Sequence, residues 1–379
     1  MIHARLPAAL AALLLAACSS SGPVREPAEL VDIESPRLTP SVRWDASPGA
    51  GSEDIHTGLR LAVEPDAIFT ADVDGRVFAL DPESGRELWS AETGARVVSG
   101  PTVAGDRVLV GTLDAEVIAL KRADGKPLWR VPVSSEVLAA PVSEGGLVIV
   151  RCVDGKVFGL AEDSGARRWS FDRAVPPLTL RGLSVPLVSG GIAFIGMDNG
   201  RVAALRLEDG QVAWEQVVAA ASGRSELERI VDVDGDLLVT KDGVYAVSFG
   251  GELAAVSLED GRVAWRRPVK SFTGIALQDK LLAVSDEDGV VWALDAETGA
   301  AAWKQEALKY RRLSAPVAVG GYFVVADFEG YLHWLSPADG RIVARVRAVD
   351  DPVTTAPIEL DGLLYVLADD GEVAAVSFN

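Results

Sequence analysis

The sequence predicts an all-β chain, an eight-bladed β-propeller of four-stranded antiparallel blades closed by a strand from its N-terminal side. Three observations predict it. One phrase, close to Asp-Gly-x-Val-x-Ala-Leu-Asp-x-x-Thr-Gly-x-x-x-Trp, recurs along the 379 residues. Its anchors at Gly75, Ala115, Gly155, Gly200, Gly251, Gly289, Gly330 and Gly371 lie 40, 40, 45, 51, 38, 41 and 41 residues apart, the period of four-stranded propeller blades. The two ends of the array are complementary. The last copy stops at Asn379, eight residues after Gly371, without an outer strand, whereas Val42-Arg43-Trp44 is an outer-strand signature with no blade before it. Supplying that strand from the far end of the chain closes the ring, and closure removes the pairing edges an open ring exposes.

Residues 1–17 are expected to stand outside the fold. Arg5 gives a positive start, and Leu6 to Leu15 is an apolar stretch of about ten residues, too short to cross a bilayer as a helix. Leu15-Ala16-Ala17-Cys18, followed by Ser19-Ser20-Ser21-Gly22, resembles the lipobox of bacterial lipoproteins. That resemblance implies that Cys18 carries lipid and becomes the mature N-terminus; the other reading is an ordinary signal peptide with a chance cysteine. Ser19, rather than Asp, after the cysteine resembles the pattern for outer-membrane sorting. Residues 18–41 are polar and carry Pro23, Pro27, Pro36 and Pro40, so they read as a flexible, semi-extended tether. The propeller is expected over residues 42–379.

Each repeat resolves into strands and turns. In the first, Ala67–Ala71 reads as a strand and Asp74-Gly75 as a hairpin turn, because Gly accepts positive φ and Asp tolerates it. Val77–Leu80 is the next strand, Asp81-Pro82-Glu83-Ser84-Gly85 a second turn, and Glu87-Leu88-Trp89 the outer strand. Arg96 to Val103 leads into the following blade. Short strands with turn signals every 8–12 residues fit a propeller or a sandwich, and the constant period decides for the propeller.

Six copies reach a tryptophan fourteen positions after the anchor, at Trp89, Trp129, Trp169, Trp214, Trp265 and Trp303; the seventh has Ala344 there. A ring of this size at a constant place fills the wedge between neighbouring blades. Packing is therefore the reading preferred over ligand stacking, for Trp292 and Trp334 as well. A regular propeller is a scaffold, so function is sought where the repeat breaks. The intervals of 45 and 51 residues mark two insertions. One holds Pro176-Pro177-Leu178-Thr179-Leu180-Arg181-Gly182; the other runs from Ala219 to Asp236 and includes Asp232 and Asp234.

Composition narrows the function classes. The formal charge is −19, which argues against a nucleic-acid binder and against a surface for anionic lipid. With Cys18 assigned to lipid, Cys152 is the one remaining thiol and has no intramolecular disulfide partner; its place at a strand end suggests packing. His3, His56 and His333 are the only histidines. They build no zinc site, and no Cys or carboxylate cluster has metal-ligand spacing. His56 and His333 read as strand residues with a hydrogen-bonding partner. No catalytic residue, metal or cofactor is assigned.

The repeat resembles the pyrroloquinoline-quinone type, with Val77-Phe78-Ala79-Leu80-Asp81 and Val291-Trp292-Ala293-Leu294-Asp295-Ala296-Glu297-Thr298-Gly299 as clear copies. Two families carry it: the quinoprotein dehydrogenases, and the BamB lipoproteins of the outer-membrane β-barrel assembly machinery. The dehydrogenases typically have an adjacent Cys-Cys disulfide, a longer chain, and calcium ligands with a catalytic Asp at the hub; this sequence shows none of these. The lipobox, the length and the eight blades resemble BamB. More specific are Leu178-Thr179-Leu180-Arg181-Gly182, Asp198-Asn199-Gly200-Arg201-Val202-Ala203-Ala204, and Gly223-Arg224-Ser225-Glu226-Leu227-Glu228-Arg229-Ile230-Val231-Asp232-Val233-Asp234, which are similar to BamB segments in the same places.

The resemblance implies a non-enzymatic scaffold at the outer membrane, facing the periplasm. It implies that Leu178, Leu180, Arg181, Asp232 and Asp234 matter for binding BamA, with unfolded outer-membrane protein precursors as further partners. Two leucines on a proline-flanked insertion can present apolar knobs, and Arg181 can make paired hydrogen bonds, while the aspartates can instead orient Arg181 or the loops. The competing reading folds Leu178 and Leu180 onto the blades and pairs Arg181 with Asp232 or Asp234. A quinone-dependent dehydrogenase and a scaffold of another envelope complex remain the alternatives.

Overall fold

The computed structural model describes residues 25–52, 55–182 and 184–378. Eight sheets follow one another around a ring. Blade 1 consists of Ala62–Glu64, Ala67–Ala71, Arg76–Leu80 and Glu87–Glu92, paired in that order from the inside outward. Blades 2 to 7 repeat the plan. Blade 8 takes three strands from the end of the chain and its outer strand, Pro40–Ala46, from the beginning, with Trp44 opposite Ala375. The expected closure is therefore present. Blade 2 has one addition: Gly58–Leu59 pairs in parallel with its inner strand, Gly58 opposite Ser99.

The core is divided among the interfaces between blades. Eight apolar clusters lie one at each junction, including the junction of blade 8 with blade 1, where Ile68, Phe78 and Leu80 meet Tyr365, Leu367 and Val373. Each sheet thus buries apolar side chains on both faces. This explains why the middle strands read as nearly continuous Val, Ile, Leu and Ala, for example Val148-Ile149-Val150.

The recurring tryptophan and the recurring glycine turn between the third and fourth strands explain one another. Trp44, Trp89, Trp129, Trp169, Trp214, Trp265 and Trp303 each donate an indole N–H to a carbonyl in the next blade, at 2.7–3.0 Å. The acceptors, such as Pro82 for Trp44 and Leu207 for Trp169, lie in or beside the turn between the third and fourth strands. The indole rests on the glycine of that turn: a Cβ on Gly85 would lie 2.5 Å from the Trp44 ring, and one on Gly210 would lie 2.5 Å from Trp169. The turn is fastened locally, since Asp81 accepts the Ser84 N–H at 2.9 Å and Asp295 accepts that of Thr298 at 2.8 Å, an Asx turn.

The segment expected as tether touches the propeller from Arg25 onward. Arg25 pairs with Asp288 at 2.7 Å. The Ala28 carbonyl accepts Arg311 Nη1 and the Val31 carbonyl accepts Arg345 Nη2, both at 3.0 Å. Arg37 N–H reaches the Val343 carbonyl, and Leu38 packs into the cluster between blades 7 and 8. Residues 1–24, with the leader and Cys18, lie outside the described residues.

His333 is a buried strand residue with partners, as expected: one ring nitrogen lies 2.8 Å from Asp327 and the other accepts Arg345 Nε at 3.2 Å. His56 corrects the expectation, because it lies in the exposed loop before Gly58–Leu59 rather than in a strand. Cys152 is buried, and burial pushes its thiol up.

Candidate docking face

In each blade the outer strand hands over to the inner strand of the next blade on the face that also carries the Asp-Gly turns. Most of these links are short, such as residues 93–96. The two insertions are links of this kind. Residues 173–186 join blade 3 to blade 4, and residues 218–237 join blade 4 to blade 5, so both project from one face at adjacent junctions.

The first link displays Leu178, which is 43 % exposed; Leu180 is half-buried and Arg181 exposed. The backbone turns sharply here, with φ +67° at Arg181 and +36° at Gly182. A left-handed non-glycine residue is uncommon and needs support from its surroundings. The Arg181 N–H bonds Thr179 Oγ1 at 3.1 Å, and its guanidinium pairs with Glu136 at 2.9 Å. Arg181 therefore pairs with blade 2–3 connecting chain, and the expected alternative partners, Asp232 and Asp234, do not fill that role.

Asp232 and Asp234 are buried. The Asp232 carboxylate accepts the N–H of Leu180 at 2.5 Å, and its carbonyl accepts Phe249 N–H. The second link thus holds the first from below. Asp236 continues the pattern, accepting Val185 N–H at 3.1 Å and pairing with Arg60 at 3.2 Å. Burial, reinforced by Asp198 and Asp234, pushes the Asp232 carboxyl up to about 7, while the Leu180 N–H and Arg151 oppose the shift.

Beneath the loop, Arg151 pairs with Asp198, both almost wholly buried. A Cβ on Gly182 would lie 2.2 Å from both terminal nitrogens of Arg151, so the glycine backbone sits directly on the guanidinium. Sequence reading gave no role to Arg151, Asp198, Glu136 or Asp236, although Asp198 and Asp236 stand in the segments it singled out. A signal was present for Arg151, a charged residue directly after the apolar run Leu147 to Val150. Leu227 was quoted only as part of its segment, yet it is 69 % exposed at the start of the single-turn helix Leu227–Arg229.

Among the described residues no group of three or more His, Cys, Asp or Glu is arranged to hold a metal ion. No helix among them is long and apolar enough to cross a membrane.

The family model described as outer membrane protein assembly factor BamB matches residues 41–305 and 307–379. A BamB from Alkalilimnicola ehrlichii is 51 % identical over 371 residues, covering 98 % of this chain and 96 % of the relative. The Escherichia coli BamB is 34 % identical over 385 residues, covering 98 % of each. The crystal structure of BamB from Moraxella catarrhalis superposes with a TM-score of 0.82 at 28 % identity, over 90 % of this chain and 100 % of that one. A quinohemoprotein alcohol dehydrogenase from Comamonas testosteroni, at 12 % identity and a TM-score of 0.71 over 89 % of this chain and 76 % of its own, shares the fold.

Proposed function

Because the chain belongs to the BamB family of outer membrane protein assembly factors, a family of non-enzymatic scaffolds, we propose that it docks on the periplasmic part of BamA through Leu178, Leu180 and Arg181. Asp232 and Asp234 act from underneath, and Asp232 does so by fixing the Leu180 amide. Lipid on Cys18 holds the propeller to the outer membrane on its periplasmic side. In that position the scaffold orients BamA and helps unfolded barrel precursors reach it.

The observation that carries this reading is an exposed leucine on a loop whose backbone is tied down. Leu178 stands out 43 % exposed, while the next turn is held by Asp232 and rests on Arg151. A loop already held in this way loses little conformational entropy when a partner covers it, and an apolar anchor ringed by polar groups is the usual makeup of an interface hot spot.

A pull-down with the periplasmic domains of BamA tests the docking. The double variant Leu178→Ser with Arg181→Glu, folded by circular dichroism and melting, is expected to capture BamA poorly. Undiminished capture refutes the assignment of this loop.

A further inference from the structure

We infer that Arg151 is a positioning residue for the docking loop: its buried guanidinium, held by Asp198, is the floor on which Gly182, and with it Leu180 and Arg181, is set. The inference rests on the reading that this loop meets the partner.

The repeat shows that the propeller does not require the arginine. Arg151 stands four residues before the anchor Gly155. The same place in the other blades holds Ala71, Gly111, Gly196, Val247, Ser285, Ala326 and Leu367. Seven blades are built with a small or apolar residue there, and only the blade that feeds the first insertion carries a charge. Arg151 is 5 % exposed. A buried ion pair is seldom net stabilising against well-packed apolar side chains, because desolvation offsets the attraction, so the Arg151–Asp198 pair is not explained by stability.

The contacts supply the explanation. The guanidinium meets Gly182 with the fork of its two terminal nitrogens, close enough that any side chain there would strike it. Glycine and arginine are thus fitted to one another, and the pair defines the height of the turn in which Arg181 takes its left-handed conformation. The second link converges on the same place, since Asp232 accepts the Leu180 N–H. Arg151 is the cation that offsets the crowding of Asp198 and Asp234 around Asp232. Arg151 therefore supports the loop twice, by contact through Gly182 and by charge through Asp232.

The test uses the intact chain and reads the loop before any partner is added. Arg151→Met alone leaves Asp198 buried without its cation, so Arg151→Met is combined with Asp198→Asn to remove both charges. The double variant is expected to melt within a few degrees of the unaltered protein. Amide exchange over residues 178–182, followed by mass spectrometry, is expected to speed up about tenfold or more. Affinity for the periplasmic domains of BamA is expected to fall by about tenfold. Arg151→Lys keeps the charge but not the two-nitrogen fork; it should give an intermediate exchange rate, and it carries the same test if the double variant does not fold. Unchanged exchange over residues 178–182 in a folded variant overturns the inference. Faster exchange with unaltered BamA affinity upholds the hold of Arg151 on the loop and overturns the docking reading instead.

Discussion

Trp334 and Ala344 face one another across the outer ladder of blade 7, the reverse of the order kept elsewhere. In the other seven blades the small residue is on the third strand and the tryptophan on the fourth, as in Ala79 with Trp89, Gly159 with Trp169 and Ala375 with Trp44. The exchange has a cause. A fourth-strand tryptophan lies on the glycine turn between the third and fourth strands of the next blade. Blade 8 has no such turn, because its fourth strand arrives from the start of the chain. Ala344 therefore departs from the repeat where a tryptophan would have nothing to rest on, and Trp334 fills the space from the neighbouring strand. Ala344→Trp is expected to overpack against fully buried Trp334 and cost about 1–3 kcal/mol. Adding Trp334→Ala should recover part of that loss in a thermal melt.

Closure of the ring makes a stronger prediction. Pro40–Ala46 covers the edge of Val373–Phe378, and Trp44 seals blade 8 against the turn at Gly85 of blade 1. A chain beginning at Ile55 should melt far below the intact protein, and an equal melting temperature would show that closure contributes nothing. Trp44→Ala alone should cost about 3 kcal/mol, toward the low end for a tryptophan because this one is half-buried.

Asp232 gives a pH dependence. Its folded carboxyl lies near 7, above the ordinary value of about 4 that it regains on unfolding. The folded state therefore holds the proton more tightly. Asp232 favours folding at pH below about 4, and this contribution is lost as pH rises through about 7. Asp232→Asn keeps an oxygen for the Leu180 N–H and cannot ionise. Relative to the unaltered protein, the variant is expected to gain stability between pH 5 and pH 8, measured by denaturant unfolding. A constant difference across that range rejects the assignment.

His333 has the opposite dependence. Burial lowers its pKa, Asp327 opposes that, and Arg345 and Arg311 add to it. The ring accepts from Arg345 at Nδ1, so protonation would set two donors against each other. Its contribution is present above about 6.5 and lost as pH falls through the lower folded value. Arg345 also holds the Val31 carbonyl. Acidification should therefore lower the protection of amides over residues 28–38, measured as exchange relative to the intrinsic rate at each pH, and Arg345→Met should do so at neutral pH.

The fold was legible because its code is local. Val77–Leu80, Asp74-Gly75 and the turn ending at Gly85 each state their own conformation through strand pattern and turn chemistry, and the spacing of Trp89 to Trp303 repeats the statement. The two insertions were legible as departures from that spacing. What the insertions do was less so. The sequence left open whether Asp232 meets a partner, orients the loops or pairs with Arg181; it is buried and holds Leu180, and Arg181 meets Glu136, a residue 45 positions away.

By itself, then, the sequence determined eight sheets, their order, the strand that closes them and the two junctions where the repeat breaks, since these follow from patterns within about 50 residues. Only the tertiary structure decided that Arg151 lies under Gly182, that Asp232 holds Leu180, and that Val31 is bound by Arg345. Those contacts join segments up to 314 positions apart. Packing of neighbouring blades makes the first two contacts and the N-terminal segment laid against blade 7 makes the third, and the burial of Arg151 and Asp232 is created only then.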